Sequence, residues 1–376
     1  MAVLKNPFVT GGYISPEYFC DREAETDLLL KYLQNGNNVT LISTRRMGKS
    51  GLIWHCFGRP EVSKSFQTFF VDIYATKSLG DFVFMLSKSI FNQLKSSSRK
   101  LLESFLIALK SLRPDISFDA NGVPSIGLSI GDIRKPEVSL EEIFQFLKAA
   151  SPPCIVAIDE LQQLQKYPEA NAKALLRTFV QQCPQVRFIF SGSQRHVMSE
   201  MFTSAARPFF ASASLMYLEA IDRHKYVEFA QKHFRNGGRE ITAETVGKIY
   251  DAFEGITWYI QKILNFLYGE TERGECCTAE AVESAIDFIV ASSSYAYSEN
   301  MFLLPDKQSK LLIAIAKEKK VLAPTSSGFV RRHHLASASS VQAALNGLLE
   351  KELLTRSDNA YSVYDKFLEK WLNDSY

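Results

Sequence analysis

The sequence runs to 376 residues, enough for two or three domains of ordinary size, each with a core of its own. Hydrophobic residues make up 46% and charged residues 22%, the usage of a folded globular chain, which excludes a disordered tract or a collagen-like repeat. Lys and Arg number 43 against 41 Asp and Glu, a net charge of +2, so there is no chain-wide attraction to polyanions and any nucleic-acid surface has to be local.

From Asp21 a helical pattern carries Leu28, Leu29, Leu30 and Leu33 and ends at the turn cluster Asn35-Gly36-Asn37-Asn38. A short buried strand at 39–42 leads into STRRMGKS, and 51–56 reads as the first turns of the next helix. A second strand, 69–73, carries Asp72 and precedes helical patterns at 79–94 and 101–112. The period then changes. Ile116 and Phe118 alternate with polar residues, Asn121-Gly122 supplies a turn, and Ile126, Leu128 and Ile130 alternate again, which predicts a β-hairpin inserted over about 115–131. A helix at 140–150 passes through Pro152-Pro153 into a strand at 155–158, and a further helix leads to a strand at 186–190, the alternation of a parallel α/β sheet.

Beyond Leu218 strands are expected to stop, and helices at 224–234, 243–253, 258–268 and 279–291 form a separate helical unit. Residues 295–305 read as a connector. Helices at 307–317, 329–334 and 341–349 follow, and then a two-stranded wing, 353–355 and 361–363, around Ser357-Asp358-Asn359; together these predict a winged helix-turn-helix. The expected domains are 1–217, 218–300 and 301–376.

The most apolar stretches, 154–158 and 188–190, fall far short of the roughly 20 residues that cross a bilayer, so no membrane contact is expected. The opening MAVLKNPFVTGG lacks an apolar core followed by a small-residue cleavage site, and a cytoplasmic location is expected. Six cysteines, at 20, 56, 154, 183, 276 and 277, form no CxxC pair; the adjacent Cys276 and Cys277 suit neither a disulfide framework nor a zinc site, so buried or incidental thiols are expected.

Ser43-Thr44-Arg45-Arg46-Met47-Gly48-Lys49-Ser50 fits GxxxxGK[ST] except at its first glycine, which is Ser43. A loop between a buried strand and a helix aims successive backbone N–H groups at phosphate oxygens, and the helix N-terminus adds positive potential. Gly48 permits close backbone approach, Lys49 would reach the β/γ-phosphates, and the Ser50 hydroxyl would ligate Mg²⁺. The cradle so expected runs from Ser43 through Arg45, Arg46, Met47, Gly48, Lys49 and Ser50 to Gly51. Its partner is Cys154-Ile155-Val156-Ala157-Ile158-Asp159-Glu160, where four apolar residues mark a strand covered on both faces, Asp159 emerges beside the metal, and Glu160 can polarise a water for in-line attack.

These residues resemble those of the archaeal and bacterial P-loop ATPases of the STAND branch, close to the AAA+ proteins, and the resemblance covers nearly the whole chain. Phe19-Cys20-Asp21-Arg22-Glu23-Ala24-Glu25 is similar to the family's F-x-G-R-E-x-E opening, with a departure at Cys20-Asp21; the family packs adenine there, which implies Phe19 and Arg22 as nucleotide contacts. The Arg45-Arg46 pair and the Asp159-Glu160 pair look like the family's as well. Phe190-Ser191-Gly192-Ser193-Gln194-Arg195 resembles its sensor, which implies Ser193 or Gln194 near the γ-phosphate and Arg195 at the rim, a plain strand-to-loop turn being the alternative. Arg207, in Arg207-Pro208-Phe209-Phe210, lies where relatives carry a basic residue before the strand that leads into the lid; it implies a γ-phosphate sensor or a surface cap. Gly255-Ile256-Thr257-Trp258 resembles the lid's Gly-x-Pro motif with Thr257 in the place of proline, which implies Gly255 and Thr257 near the base and leaves Trp258 as lid core.

In the C-terminal module, Ala336-Ser337-Ala338-Ser339-Ser340 would sit at the groove-facing start of a recognition helix, with Arg331, Arg332, His333 and His334 one element earlier. Residues 306–376 hold eleven Lys/Arg against eight Asp/Glu, an excess of three that fits DNA and a protein partner equally.

The resemblance implies an α/β P-loop NTPase fold of the AAA+/STAND type: a parallel sheet core with a helical lid and a C-terminal winged helix-turn-helix domain. It also implies ATP or ADP with Mg²⁺ as cofactors, hydrolysis with Glu160, Lys49, Arg195 and Arg207 as the catalytic set, and Ser50 and Asp159 on the metal. The nucleotide state would control how the winged helix meets DNA or a protein partner, with nucleotide-dependent oligomerisation a further expectation. Two alternatives stay open: a nucleotide-binding module without turnover, since Ser43 and Thr257 replace family residues, and a winged-helix DNA-binding transcription regulator.

Overall fold

A strand with no polar face needs cover on both sides, and three strands of this chain are of that kind. The computed structural model describes residues 4–111, 115–118, 124–127, 133–357 and 359–376. It places β1 (Val39–Ile42), β2 (Gln67–Asp72), β5 (Cys154–Asp159), β6 (Arg187–Gly192) and β7 (Ser214–Tyr217) in one parallel sheet of order β2-β5-β6-β1-β7. Every residue of β1 and β5 is buried, as are all but the first of β6, and these are the central strands.

The two sheet faces divide by the period-2 alternation of side chains. Val39, Leu41, Ile155, Ala157 and Ile189 pack with Leu29 and Leu33 of the helix Glu23–Gln34 and Leu52 and Ile53 of the helix Lys49–Gly58. Val156, Ile158, Phe188 and Phe190 face the other way, against the helices Leu79–Ser97, Pro136–Ala149 and Ala172–Gln181. Phe144, Phe188 and Phe190 stack in series on this second face, with centroids 5.8 and 6.0 Å apart.

Register sets the site. Ile42 pairs with Gly192 and Ile158 with Phe190, so the residues that follow these strands leave from one edge of the sheet, beside β1, where the strand order reverses. Gly192 has no room for a side chain: a Cβ there would fall inside van der Waals distance of Gln162 Oε1 and Met198 Sδ, both on buried side chains. Gly192→Ala is expected to cost about 1–3 kcal/mol through overpacking. Thermal unfolding checks it, and an unchanged Tm would show that the neighbours give way freely.

The hairpin expected within 115–131 is present as β3 (Asp115–Phe118) paired antiparallel with β4 (Pro124–Gly127). Its expected turn, Asn121-Gly122, and the residues Leu128 and Ile130 lie outside the described residues.

Contacts divide the chain into two units: Val9–Tyr226 with Ile256–Trp258, and Val227–Gly255 with Tyr259–Tyr376 and the stretch ending at Phe8. In the second unit Phe8 is fully buried among Phe229, Phe234 and Tyr268, with centroids 5.6–6.0 Å away. Its helices include Ala243–Ala252, Glu280–Ser292, Asp306–Glu318, Ser327–Arg332 and Ala338–Glu350. The wing is β10 (Leu354–Ser357) paired antiparallel with β11 (Ala360–Val363). Phe253, Tyr259 and Phe367 form one aromatic cluster, and the Lys366 amide donates to Tyr259 Oη at 2.9 Å.

Several expectations need correction. Strands do not stop at Leu218, because β8 (Glu240–Ile241) pairs parallel with β9 (Cys276–Cys277) in the helical region. The stretch read as a connector is helical over Ser294–Phe302, and Trp371 Nε1 donates to Ser294 Oγ at its start. The chain does not end on the wing: the helix Lys366–Ser375 follows, capped by Asp365, whose carboxylate accepts from the amides of Phe367 and Leu368. The helix Arg195–Thr203 and β7 add to the elements expected. All six cysteines are free, and all but Cys276 are buried. Burial pushes the Cys56 and Cys154 thiols up to about 12, which keeps them protonated and inert. No helix among the described residues is long and apolar enough to cross a membrane.

Candidate functional site

Four segments leave the same edge of the sheet: the loop after β1, the turns after β2 and β5, and the start of the helix after β6. In the first, Gly48 takes φ +93° immediately before the helix Lys49–Gly58. No atom lies within 4 Å of where its Cβ would be, so glycine is needed there for its backbone and not for space. Arg46 holds φ +67°, a left-handed value that a non-glycine residue adopts at a cost.

Lys49 is buried at 6% exposure and folds back over its own loop. Its Nζ donates to Ser43 Oγ and Thr44 O at 3.1 Å and to Ser43 O at 3.4 Å. The serine that stands in the first glycine position thus supplies an acceptor to the lysine. Burial pulls the Lys49 pKa below the usual lysine value, and the Glu160 and Asp159 carboxylates oppose that pull.

Ser50 Oγ donates to Asp159 Oδ2 at 2.6 Å, across 109 residues of sequence. Asp159 Oδ1 accepts the Glu160 amide at 3.0 Å, which leaves both carboxylate oxygens directed by the fold. Asp72 pairs with Asp159 in the β2–β5 register, and burial, then the nearby Asp159 and Glu160 charges, raise its pKa against the lowering effect of the Tyr74 amide. Among the described residues no group of three or more His, Cys, Asp or Glu is arranged to hold a metal. The Ser50 hydroxyl and Asp159 carboxylate are hard oxygen donors of the kind Mg²⁺ takes, and such an ion completes its octahedron with phosphate oxygens and water, so the residues fit it.

Glu160 turns the chain out of β5 at φ +59°. Its Oε2 accepts from Ser193 Oγ at 2.7 Å and from Gln162 Nε2. Ser193 Oγ in turn accepts from Arg45 Nε at 3.1 Å, and the Arg45 guanidinium lies over the Tyr74 ring at 5.2 Å. Arg45, Ser193, Gln162 and Glu160 therefore form one hydrogen-bonded chain across three loops. Gln162 and Tyr74 belong to no motif, and only their place in the fold discloses them.

On the far side of the loop the Phe19 ring lies 3.1 Å from where a Gly51 Cβ would stand, so the glycine lets the ring rest on the first helical turn. Phe19 stacks on His55 at 4.7 Å, and Tyr13 Oη meets His55 Nδ1 at 3.1 Å. Arg22 is 2% exposed and bonds Glu25 at 2.5 Å, Glu219 O at 2.7 Å and Met47 O at 3.2 Å. Its guanidinium ties the opening segment to the phosphate loop.

Arg195, expected at the rim, and Arg207, expected as a γ-phosphate sensor or a surface cap, each pair with a glutamate. Arg195 Nη2 pairs with Glu219 Oε1 at 2.7 Å, and Arg207 Nε donates to Glu200 Oε1 at 2.9 Å. Gln194 precedes the helix Arg195–Thr203, and its carbonyl accepts from the Met198 amide at 2.9 Å. Gly255 takes φ +73°, its amide bonded to Tyr250 O. Thr257 Oγ1 donates to Met47 O at 3.4 Å. Trp258, read as lid core, instead lies at the phosphate loop, 4.3 Å below the Arg46 guanidinium.

The family described as an ATPase domain predominantly from Archaea matches residues 19–263, and a winged helix domain family matches residues 295–374. No curated protein matches the sequence at a significant level. Among solved structures, a Walker-type ATPase of Pyrococcus abyssi is similar at 19% identity and a TM-score of 0.64, with 98% of this chain and 99% of that one covered. The ORC2 protein of Aeropyrum pernix, in ADPNP–ADP complexes, aligns at 13% identity and 0.58, covering 98% and 96%. The ORC1 protein of the same organism, in complex with DNA, aligns at 14% and 0.54, covering 99% and 97%. At such identities the likeness is one of fold: a parallel five-stranded sheet with helices and a C-terminal winged helix.

Proposed function

The chain belongs to the ATPase family predominantly from Archaea, and on that premise we propose that it is a nucleotide-driven switch of the STAND kind, binding ATP with Mg²⁺ at 43–51 and hydrolysing it. The observation that carries this reading is the 2.6 Å hydrogen bond from Ser50 Oγ to Asp159, with the buried Lys49 ammonium alongside. A hydroxyl, a carboxylate and an ammonium so gathered at one sheet edge can neutralise a polyphosphate and hold its metal. Ser50 and Asp159 would hold Mg²⁺, which would supply positive charge against that of the phosphates. Lys49 would leave its Ser43 and Thr44 acceptors for the phosphates, and Glu160 would leave Ser193 and Gln162 to orient the attacking water.

The winged helix is the proposed output, toward a protein partner or DNA. Arg332 and His333 both reach Glu318, at 2.6 and 2.7 Å, and Ser337 Oγ accepts the Ser340 amide at 3.2 Å. Two basic side chains and the hydroxyl expected at a groove-facing helix start are thus already engaged, which favours a protein partner.

Amide exchange tests the switch. A ligand shifts an equilibrium only by binding its states unequally, so ATP with Mg²⁺ is expected to slow exchange over 294–305 relative to ADP. Identical exchange with ATP, ADP and no nucleotide would leave a static nucleotide-bound module as the better account. Duplex binding with a steep salt dependence, measured alongside, would assign DNA as the partner.

A further inference from the structure

Thr257 and Trp258 open the helix Thr257–Glu270, yet their contacts group them with the sheet unit, while the helix from Tyr259 onward is grouped with the other. Those contacts converge on two residues of the phosphate loop. The Trp258 amide donates to Arg46 O at 3.1 Å, the Arg46 guanidinium lies 4.3 Å from the centre of the Trp258 ring, and Thr257 Oγ1 donates to Met47 O at 3.4 Å. The indole is itself anchored, its Nε1 donating to Thr10 O at 2.9 Å. Arg46 is the loop residue at φ +67°, where a side chain is disfavoured unless its surroundings hold it, and Gly48 and Lys49 follow directly.

We propose that Trp258 is a positioning residue for nucleotide binding, acting through Arg46: it holds the left-handed turn of the phosphate loop and gives the guanidinium a resting place that phosphate oxygens compete for. The amide bond and the ring contact fall on one residue, so the loop carbonyl and the cation are fixed together. A guanidinium over an indole is attracted by the ring's negative face, and the edge donors of a guanidinium match the oxygens of a phosphate. Phosphate oxygens would draw those donors, and the loss of the stacked cation would be felt by the indole. The proposal rests on the reading of 43–50 as a phosphate loop.

The test is calorimetric affinity for ATP with Mg²⁺ on the full chain, compared for wild type, Trp258→Ala, Trp258→Phe, Arg46→Ala and the Trp258→Ala/Arg46→Ala pair. Trp258→Ala and Arg46→Ala are each expected to weaken binding about tenfold, the pair to be no weaker than the worse single, and Trp258→Phe, which keeps an aromatic face, to stay within about threefold. A purely structural role would not move a second readout. ATP should change the part of the tryptophan emission that Trp258→Phe removes, and Arg46→Ala should abolish that change. Affinity untouched by Trp258→Ala, or single losses that multiply in the pair with emission unaltered, would overturn the proposal. Trp258→Phe and Arg46→Ala decide it should Trp258→Ala fail to fold. Binding that survives Lys49→Ala would overturn the phosphate-loop reading beneath it, whereas binding that Lys49→Ala destroys and Trp258→Ala spares would overturn this proposal alone.

Discussion

Lys49→Ala is expected to weaken ATP binding at least about a hundredfold, close to 2.7 kcal/mol. The ammonium is the mobile charge of the loop, and its three acceptors, Ser43 O, Ser43 Oγ and Thr44 O, all lie within the phosphate cradle, so it has only to swing from loop to ligand. A second effect adds to the loss. Lys49 offsets the Asp159 and Glu160 carboxylates, and without it two negative groups face an incoming polyphosphate. Calorimetry well below the melting temperature of the variant checks this, since removal of a buried charge also lowers stability. An unchanged dissociation constant would remove 43–51 as the phosphate site.

Glu160→Gln should leave ATP affinity within about threefold and lower turnover by about 10²–10⁴, the range for loss of a general base. The isosteric amide keeps an oxygen that can accept from Ser193 Oγ and Gln162 Nε2, so the turn after β5 is expected to survive. What it loses is basicity. A steady-state phosphate-release assay decides: turnover equal in both proteins would assign water activation elsewhere, and a wild type without turnover would make Glu160 part of a static clamp.

The strand, loop and helix around 43–50 and the strand ending at Asp159 are legible in the sequence because both obey short-range rules. Gly48 before Lys49-Ser50 is a backbone requirement of the loop, and the apolar run ending at Asp159 marks a strand covered on both faces. The hairpin strands β3 and β4 showed through alternation on either side of an Asn-Gly pair. The terminal helix Lys366–Ser375 also has a local signature, since Phe367, Leu368, Trp371 and Leu372 fall on one helical face behind an Asp365 cap.

Other features have no local signature. β7 is four residues long and half exposed, and it exists because β1 offers it an open edge: Val39 pairs with Ser214 and Ile42 with Tyr217. The resemblance implied Arg195 at the rim of the γ-phosphate and Arg207 as its sensor or a surface cap, and only the folded chain shows that Arg195 pairs with Glu219 and Arg207 with Glu200. Gln162 joins Glu160 and Ser193 only because β5 and β6 are neighbours in register, and Trp258 reaches Arg46 across more than 200 residues of chain. Strand and loop identity follow from periodicity and backbone preference within a few residues, which a sequence carries in full. Which side chain neutralises which, and which ring lies beneath which cation, depends on segments brought together by burial of the sheet's two faces, and no spacing along the chain encodes that.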